Sequence, residues 1–331
     1  MHRLLRRTAV AFVSLSLLLS AAAPAHAALT DRERMRRAVG FIASQQRNNG
    51  SIPAFSPIGS TADAVLAFVA AGTGRPSMRT ALRYLARQAE RGNVTGVGLQ
   101  AKVALALAAA GRNPRNVGGE NLIAQIRNAY SDGLSPIVFD TALAVLALRS
   151  ANAAVPAAAW DFLVNEQCPD GGWAYDAFND GEDEHCFSGD AGSDFFRSDT
   201  NATALTIMAL EAIDASPTTN PFAFLRSIRD GDRGGWGYTW GFTETDANST
   251  ALVLQAYAAR GREAPQRAER ALRSLQYKRC GAFAFGFSGE APTAPDVGAT
   301  IGAVPAIRGL AMPFSREVSG PAPATPDCQA G

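Results

Sequence analysis

The sequence predicts an all-α fold, an (α/α)6 toroid of six helix pairs, on three observations. Two kinds of apolar segment alternate six times along the chain, their spacing is nearly constant, and one turn-and-helix sentence is written twice. Gly171, Gly172 and Trp173 lead on to Asp199, Asn201, Thr203, Ala204 and Leu205, and Gly234, Gly235 and Trp236 lead on to Asp246, Asn248, Thr250, Ala251 and Leu252. Self-similarity of this kind marks a repeat architecture, in which each unit buries its apolar face only against its neighbours.

The first kind of segment is apolar on one face: Met35 to Ile42, Met78 to Leu85, Leu122 to Ile126, Trp160 to Val164, Phe224 to Ile228 and Ala268 to Leu275. Apolar residues recur there at helical spacing and arginines fill much of the remainder. With Ile42, Leu82, Ile123, Leu163, Leu225 and Leu272 as equivalents, the steps are 40, 41, 40, 62 and 47 residues, a period with one insertion.

The second kind is apolar almost all round: Ala62 to Ala71, Val97 to Ala110, Thr141 to Leu148, Ala202 to Ile213, Ser249 to Ala259 and Val297 to Leu310. A helix without a polar face must be buried on every side. Six one-sided helices shielding six all-round apolar ones give two concentric rings around a central space. Pro305 is expected to kink or end the last inner helix. Asp199, Asp246 and Asp296 stand where inner helices open and are expected to cap them.

Residues 1–27 read as a secretory signal, with Arg3, Arg6 and Arg7, an apolar run from Ala9 to Leu19 and small residues up to Ala27. The expected organisation is a signal peptide over 1–27, a toroid domain over 28–320 and a Pro-rich tail over 321–331. The product is expected to be secreted or periplasmic after cleavage near Ala27, with no membrane span. Without the three leader arginines, 28 basic residues face 30 acidic ones, which offers nothing for nucleic acid. Lys102 and Lys278 are the only lysines. Four cysteines in an exported chain suggest two disulfides, and proximity favours Cys168–Cys186 and Cys280–Cys328.

The stretch Gln167, Gly171, Gly172, Trp173 resembles the Q-x-x-x-G-x-W turn of the squalene cyclase and prenyltransferase repeat families, and the repeats look like their α/α-toroid throughout. The match is partial: Ile52 and Phe283 take the Trp place in the first and sixth repeats, and Arg229 the Gln place in the fifth. The chain also resembles the α-domain of vitamin B12 carriers related to intrinsic factor, and the thioester domains of complement-like proteins. These relatives imply cyclisation, prenyl transfer, carriage or covalent attachment, and fold alone does not choose among them.

The residues narrow the choice. The Asp-x-Asp-Asp acid motif of cyclases is missing, leaving Asp63 and Asp140 as isolated candidates for a general acid, each also readable as a helix cap. The zinc of prenyl transfer would have only His185 and Cys186, and a thioester has no Gln three residues after Cys168 or Cys280. The insertion after Trp173 is acidic, and Asp180, Glu182, Asp183 and Glu184 are candidate calcium ligands beside the alternative of a solvated loop.

Aromatic residues gather near this insertion. Tyr175, Tyr238 and Trp240 are candidates for contact with a planar or apolar ligand, with Trp173 and Trp236 shared between packing and ligand. Asn201, Thr203, Asn248 and Thr250 add polar groups at the same end. The sequence therefore points to an exported toroid that binds a small apolar or planar molecule. The alternatives are a cyclase-like enzyme using Asp63 or Asp140, and an envelope protein whose aromatic rim meets a protein or glycan. No cofactor is identified beyond the possible calcium, and the oligomeric state is open.

Overall fold

A computed structural model describes residues 29–131, 137–176, 186 and 197–328. The signal segment and the calcium candidates Asp180, Glu182, Asp183 and Glu184 lie outside the described residues, as does His185.

Among the described residues, twelve helices alternate between two rings. The inner six are α2 (Pro57–Ala71), α4 (Val97–Ala109), α6 (Val138–Ser150), α8 (Thr200–Ala212), α10 (Ala247–Ala259) and α12 (Val297–Ile307). Each packs on the next, and α12 closes back onto α2. The outer six are α1 (Asp31–Ser44), α3 (Arg75–Glu90), α5 (Leu122–Ala129), α7 (Ala157–Asn165), α9 (Pro221–Ser227) and α11 (Ala268–Ser274). Helix α12 ends two residues past Pro305, as a residue with no N–H to donate and a ring that crowds the preceding turn requires.

Every inner helix therefore begins at the same end of the ring, and a repeated lock fixes the chain there. A threonine hydroxyl in the first turns accepts the backbone N–H at the Trp place of the preceding turn: Thr61 from Ile52 (2.9 Å), Thr203 from Trp173 (2.9 Å), Thr250 from Trp236 (3.0 Å) and Thr300 from Phe283 (2.8 Å). The Gln of the turn does a second job. Nε2 of Gln46, Gln167 and Gln276 donates to Gly50 O, Gly171 O and Gly281 O, and also to a backbone carbonyl of another outer-ring segment. Arg229 substitutes in the fifth repeat, its Nε donating to Gly234 O at 2.9 Å.

The expected caps are in place. Asp199, Asp246 and Asp296 accept backbone N–H groups in the first turns of α8, α10 and α12. Short antiparallel pairs brace the approaches, Trp173–Ala174 with Ser198–Asp199 and Phe283–Ala284 with Pro295–Asp296.

Both disulfides form, Cys168–Cys186 and Cys280–Cys328. The second holds the C-terminal segment over the seam where the ring closes, and Arg273 there grips Asp31 through two bonds of 3.0 and 2.9 Å. Among the described residues no helix is long and apolar enough to cross a membrane, and no group of three or more His, Cys, Asp or Glu is placed to hold a metal ion.

Candidate functional site: the central cavity

The inner ring does not pack shut on its alanines. It encloses a cavity of about 270 Å³ to which all six inner helices contribute. The lining follows the repeat, because residues about one turn apart on a helix share a face. Two residues beyond each threonine, or its equivalent Gln100, stand Asp63, Lys102, Leu143, Leu205, Leu252 and Gly302, one from each helix and all on the cavity. Toward the helix starts lie Phe139, Asn201, Asn248 and Gly298, and toward the helix ends Leu66, Leu105, Gln255 and Pro305.

The two ends differ. Phe55 both lines the cavity and is 82% exposed, so the space reaches the surface where the inner helices begin. At the other end Met312 and Phe314 form the floor. The segment after them is tied to the end of α2, with Arg316 Nη1 donating to Ala70 O at 3.5 Å and Ser319 N to Gly72 O at 3.1 Å.

One ion pair stands in this wall. Lys102 Nζ donates to Asp63 Oδ2 at 2.8 Å, and the two side chains keep 29% and 33% of their surface accessible. Burial would lower the Lys102 pKa, yet the Asp63 carboxylate, with Asp140 beyond it, holds it above the ordinary value. Asp63 is thus no cap. It lies six residues after Pro57, and Ser56 caps α2 instead, accepting from Gly59 N at 3.3 Å.

Asp140 does act as a cap, but on the neighbouring helix. Helix α4 has no capping side chain of its own, and Asp140 accepts the N–H of Gly98 in its first turn, where a Cβ would lie 2.1 Å from Asp140 Oδ1. Burial raises the Asp140 pKa against the Gly98 N–H and the charge of Lys102.

The expected ligand groups separate. Asn201 and Asn248 line the cavity. Thr203 and Thr250 are fully buried in the turn locks. Trp173 and Trp236 are 0% exposed and clamp the outer helices, each indole N–H donating at 2.6 Å to Leu163 O or Leu225 O. These four are framework rather than cavity wall, because each polar atom that could reach a ligand is already spent on the turn.

The other aromatics sit around the mouth. Tyr175 packs on the cavity residue Phe139 with ring centroids 5.2 Å apart, and its carbonyl accepts from Phe139 N at 3.2 Å. The Tyr238 carbonyl serves Thr200 N in the same way at 2.8 Å. Trp240 is 41% exposed on the following turn, outside the cavity wall. The sequence reading missed Gln255, Phe139, Gly302 and the role of Lys102. A cavity position lies two residues after the threonine of each lock or its equivalent, which was the available signal for Gly302 and Lys102, and Phe139 and Gln255 lie about one turn to either side of that position.

No protein-family model matches the chain, and the search of curated proteins gives no match. Solved structures do match in fold. An inactive variant of the alpha-1,6-mannanase GH76A of Salegentibacter sp. HEL1_6, in complex with alpha-1,6-mannotetrose, is similar over 85% of this chain and 98% of its own, at 11% identity and a TM-score of 0.55. Haptocorrin in complex with Cbi is similar over 87% of this chain and 70% of its own, at 14% identity and a TM-score of 0.51. At these identities the likeness is one of fold, and it places the chain among α/α-toroid proteins.

Proposed function

We propose that this is an exported binding protein whose central cavity holds one small, mainly apolar ligand. The observation that carries the reading is the cavity itself: about 270 Å³, walled mainly by apolar side chains, open at one end and floored at the other. An apolar cavity of about 150 Å³ admits benzene, so the space suits a molecule somewhat larger than that and far smaller than a corrinoid. Haptocorrin, which shares the general fold, was solved in complex with Cbi. Export draws on the leader-like start of the sequence and on two disulfides, which persist in oxidising compartments.

The geometry favours binding over acid-initiated cyclisation. Such chemistry needs a carboxylic acid that keeps its proton while facing an apolar wall. Asp63 faces the cavity as the ion-pair partner of Lys102, and Asp140 is occupied at the start of α4. A second reading, an envelope interaction surface, draws on Phe55, Trp240, Phe242 and Phe285, which are 82, 41, 61 and 47% exposed around the mouth. Its test is whether serine at positions 240 and 242 abolishes retention on envelope fractions while cavity binding persists.

The test of the main reading is native, non-reducing mass spectrometry of the secreted protein, beside the variant Gly302→Leu. Gly302 faces the cavity, and a Cβ there meets only Asn248 Oδ1 at 3.1 Å, so leucine fills the space at little cost to the helix. We expect an adduct on the wild-type chain that the variant loses while keeping its Tm. An adduct retained by the variant would place the ligand elsewhere and overturn the reading.

A further inference from the structure

We infer that the cavity selects a neutral ligand carrying a hydroxyl, and that Gln255 is the residue that selects it. The inference rests on the cavity-binding reading and names the class of ligand within it. Gln255 lies on α10, faces the cavity and is 4% exposed. Its Nε2 donates to Ala251 O at 3.4 Å, one turn back. That bond is long, and it sets which way the amide faces without holding it rigidly, because the flipped form would set two oxygens against each other. Oε1 is left buried with no hydrogen-bond partner among the described residues. A buried acceptor without a donor costs stability, and a ligand O–H relieves that cost.

The surroundings show that glutamine is not needed to build the ring. At the equivalent place the other inner helices carry Leu66, Leu105, Leu146, Met208 and Pro305, all apolar. A second buried oxygen without a partner, Asn201 Oδ1, belongs to a cavity residue nearer the mouth. Two residues of the wall thus carry acceptors in want of donors, both buried and met by a ligand donor as the side chain shifts, which disfavours carboxylates, ethers and ketones.

The ion pair disfavours charged ligands of either sign. Lys102 and Asp63 already compensate one another at 2.8 Å. An ammonium or carboxylate entering the cavity would shed its water with no opposite charge left to meet it. A neutral O–H satisfies Gln255 without that penalty.

The experiment is calorimetric titration of the intact, oxidised protein with four probes of similar size: hexan-1-ol, 1-methoxypentane, hexanoate and hexylamine. We expect hexan-1-ol to bind about tenfold more tightly than 1-methoxypentane, its isomer without a donor, and the two ions to bind more weakly than either. Gln255→Leu, which places in α10 the residue found in α2 and α4, should abolish the tenfold difference and retain the ether. Equal binding of alcohol and ether by the wild type, a preference for either ion, or a difference that survives Gln255→Leu would overturn the inference alone. Failure of all four probes to bind would overturn the cavity reading and this inference with it.

Discussion

The fourth and fifth repeats build the same lock from nearly the same words, and they differ in one atom's partner. In both, a fully buried Trp donates its indole N–H to an outer-helix carbonyl at 2.6 Å and its backbone N–H to a threonine. In both, an aspartate caps the inner helix. Asp246 has its second oxygen satisfied by Ser249 Oγ at 2.7 Å, and burial raises its pKa to about 6. Asp199 has Ala202 at that place, its Oδ2 has no partner among the described residues, and burial raises its pKa to about 7. The cap's geometry is set by backbone N–H groups, burial raises the pKa of both carboxyls, and Asp246 gains a further donor from one side chain three residues on.

The comparison breaks most sharply at the tryptophans. Trp173→Ala and Trp236→Ala should each cost about 3–5 kcal/mol in denaturant unfolding, and a clearly smaller loss at Trp173 would mean that the disulfide beside it carries the turn. Next come Thr203→Val and Thr250→Val, which strand a buried backbone N–H and should each cost about 1–3 kcal/mol.

The caps sharpen the comparison at smaller magnitude. Ala202→Ser should stabilise and Ser249→Ala destabilise, each by about 1 kcal/mol near neutral pH, read as opposite shifts in Tm. The pH dependence has a definite sign. The folded chain holds the Asp199 proton with a pKa of about 7 against the ordinary aspartate value of 3.8, so this group's contribution is fully present below about pH 4 and is lost as pH rises toward 7. Asp199→Asn should flatten that slope in Tm measured from pH 4 to 8, and an unchanged slope would assign it to other groups.

Much of this framework was legible in the sequence because repetition supplies its own check. The alternating segments, the capping aspartates and the Gln-held turns each recur and fall where the structure has them. The cavity was less legible for a physical reason. An inner helix apolar on every side has no polar face to give its rotation, so nothing in α4 or α10 alone says that Lys102 or Gln255 looks inward. Asp63 resembled a cap because the apolar run begins at Ala62, whereas Ser56 and Pro57 start the helix five residues earlier. The tryptophans and threonines resembled ligand groups because an aromatic or hydroxyl residue reads alike in a wall and in a lock.

The two-residue offset between each threonine and its cavity neighbour separates two kinds of information on the same six helices. One face is committed to holding the ring, and the nearly opposite face is free to vary, as the set Asp63, Lys102, Leu143, Leu205, Leu252 and Gly302 already shows. Substitutions at Leu143, Leu205 and Leu252 that keep helix propensity and total volume should leave the framework energetically unaware of them, whereas Asp63 and Lys102 are coupled and change only as a pair. The toroid is in this sense a socket whose walls can be recut for a different guest without reforging the frame.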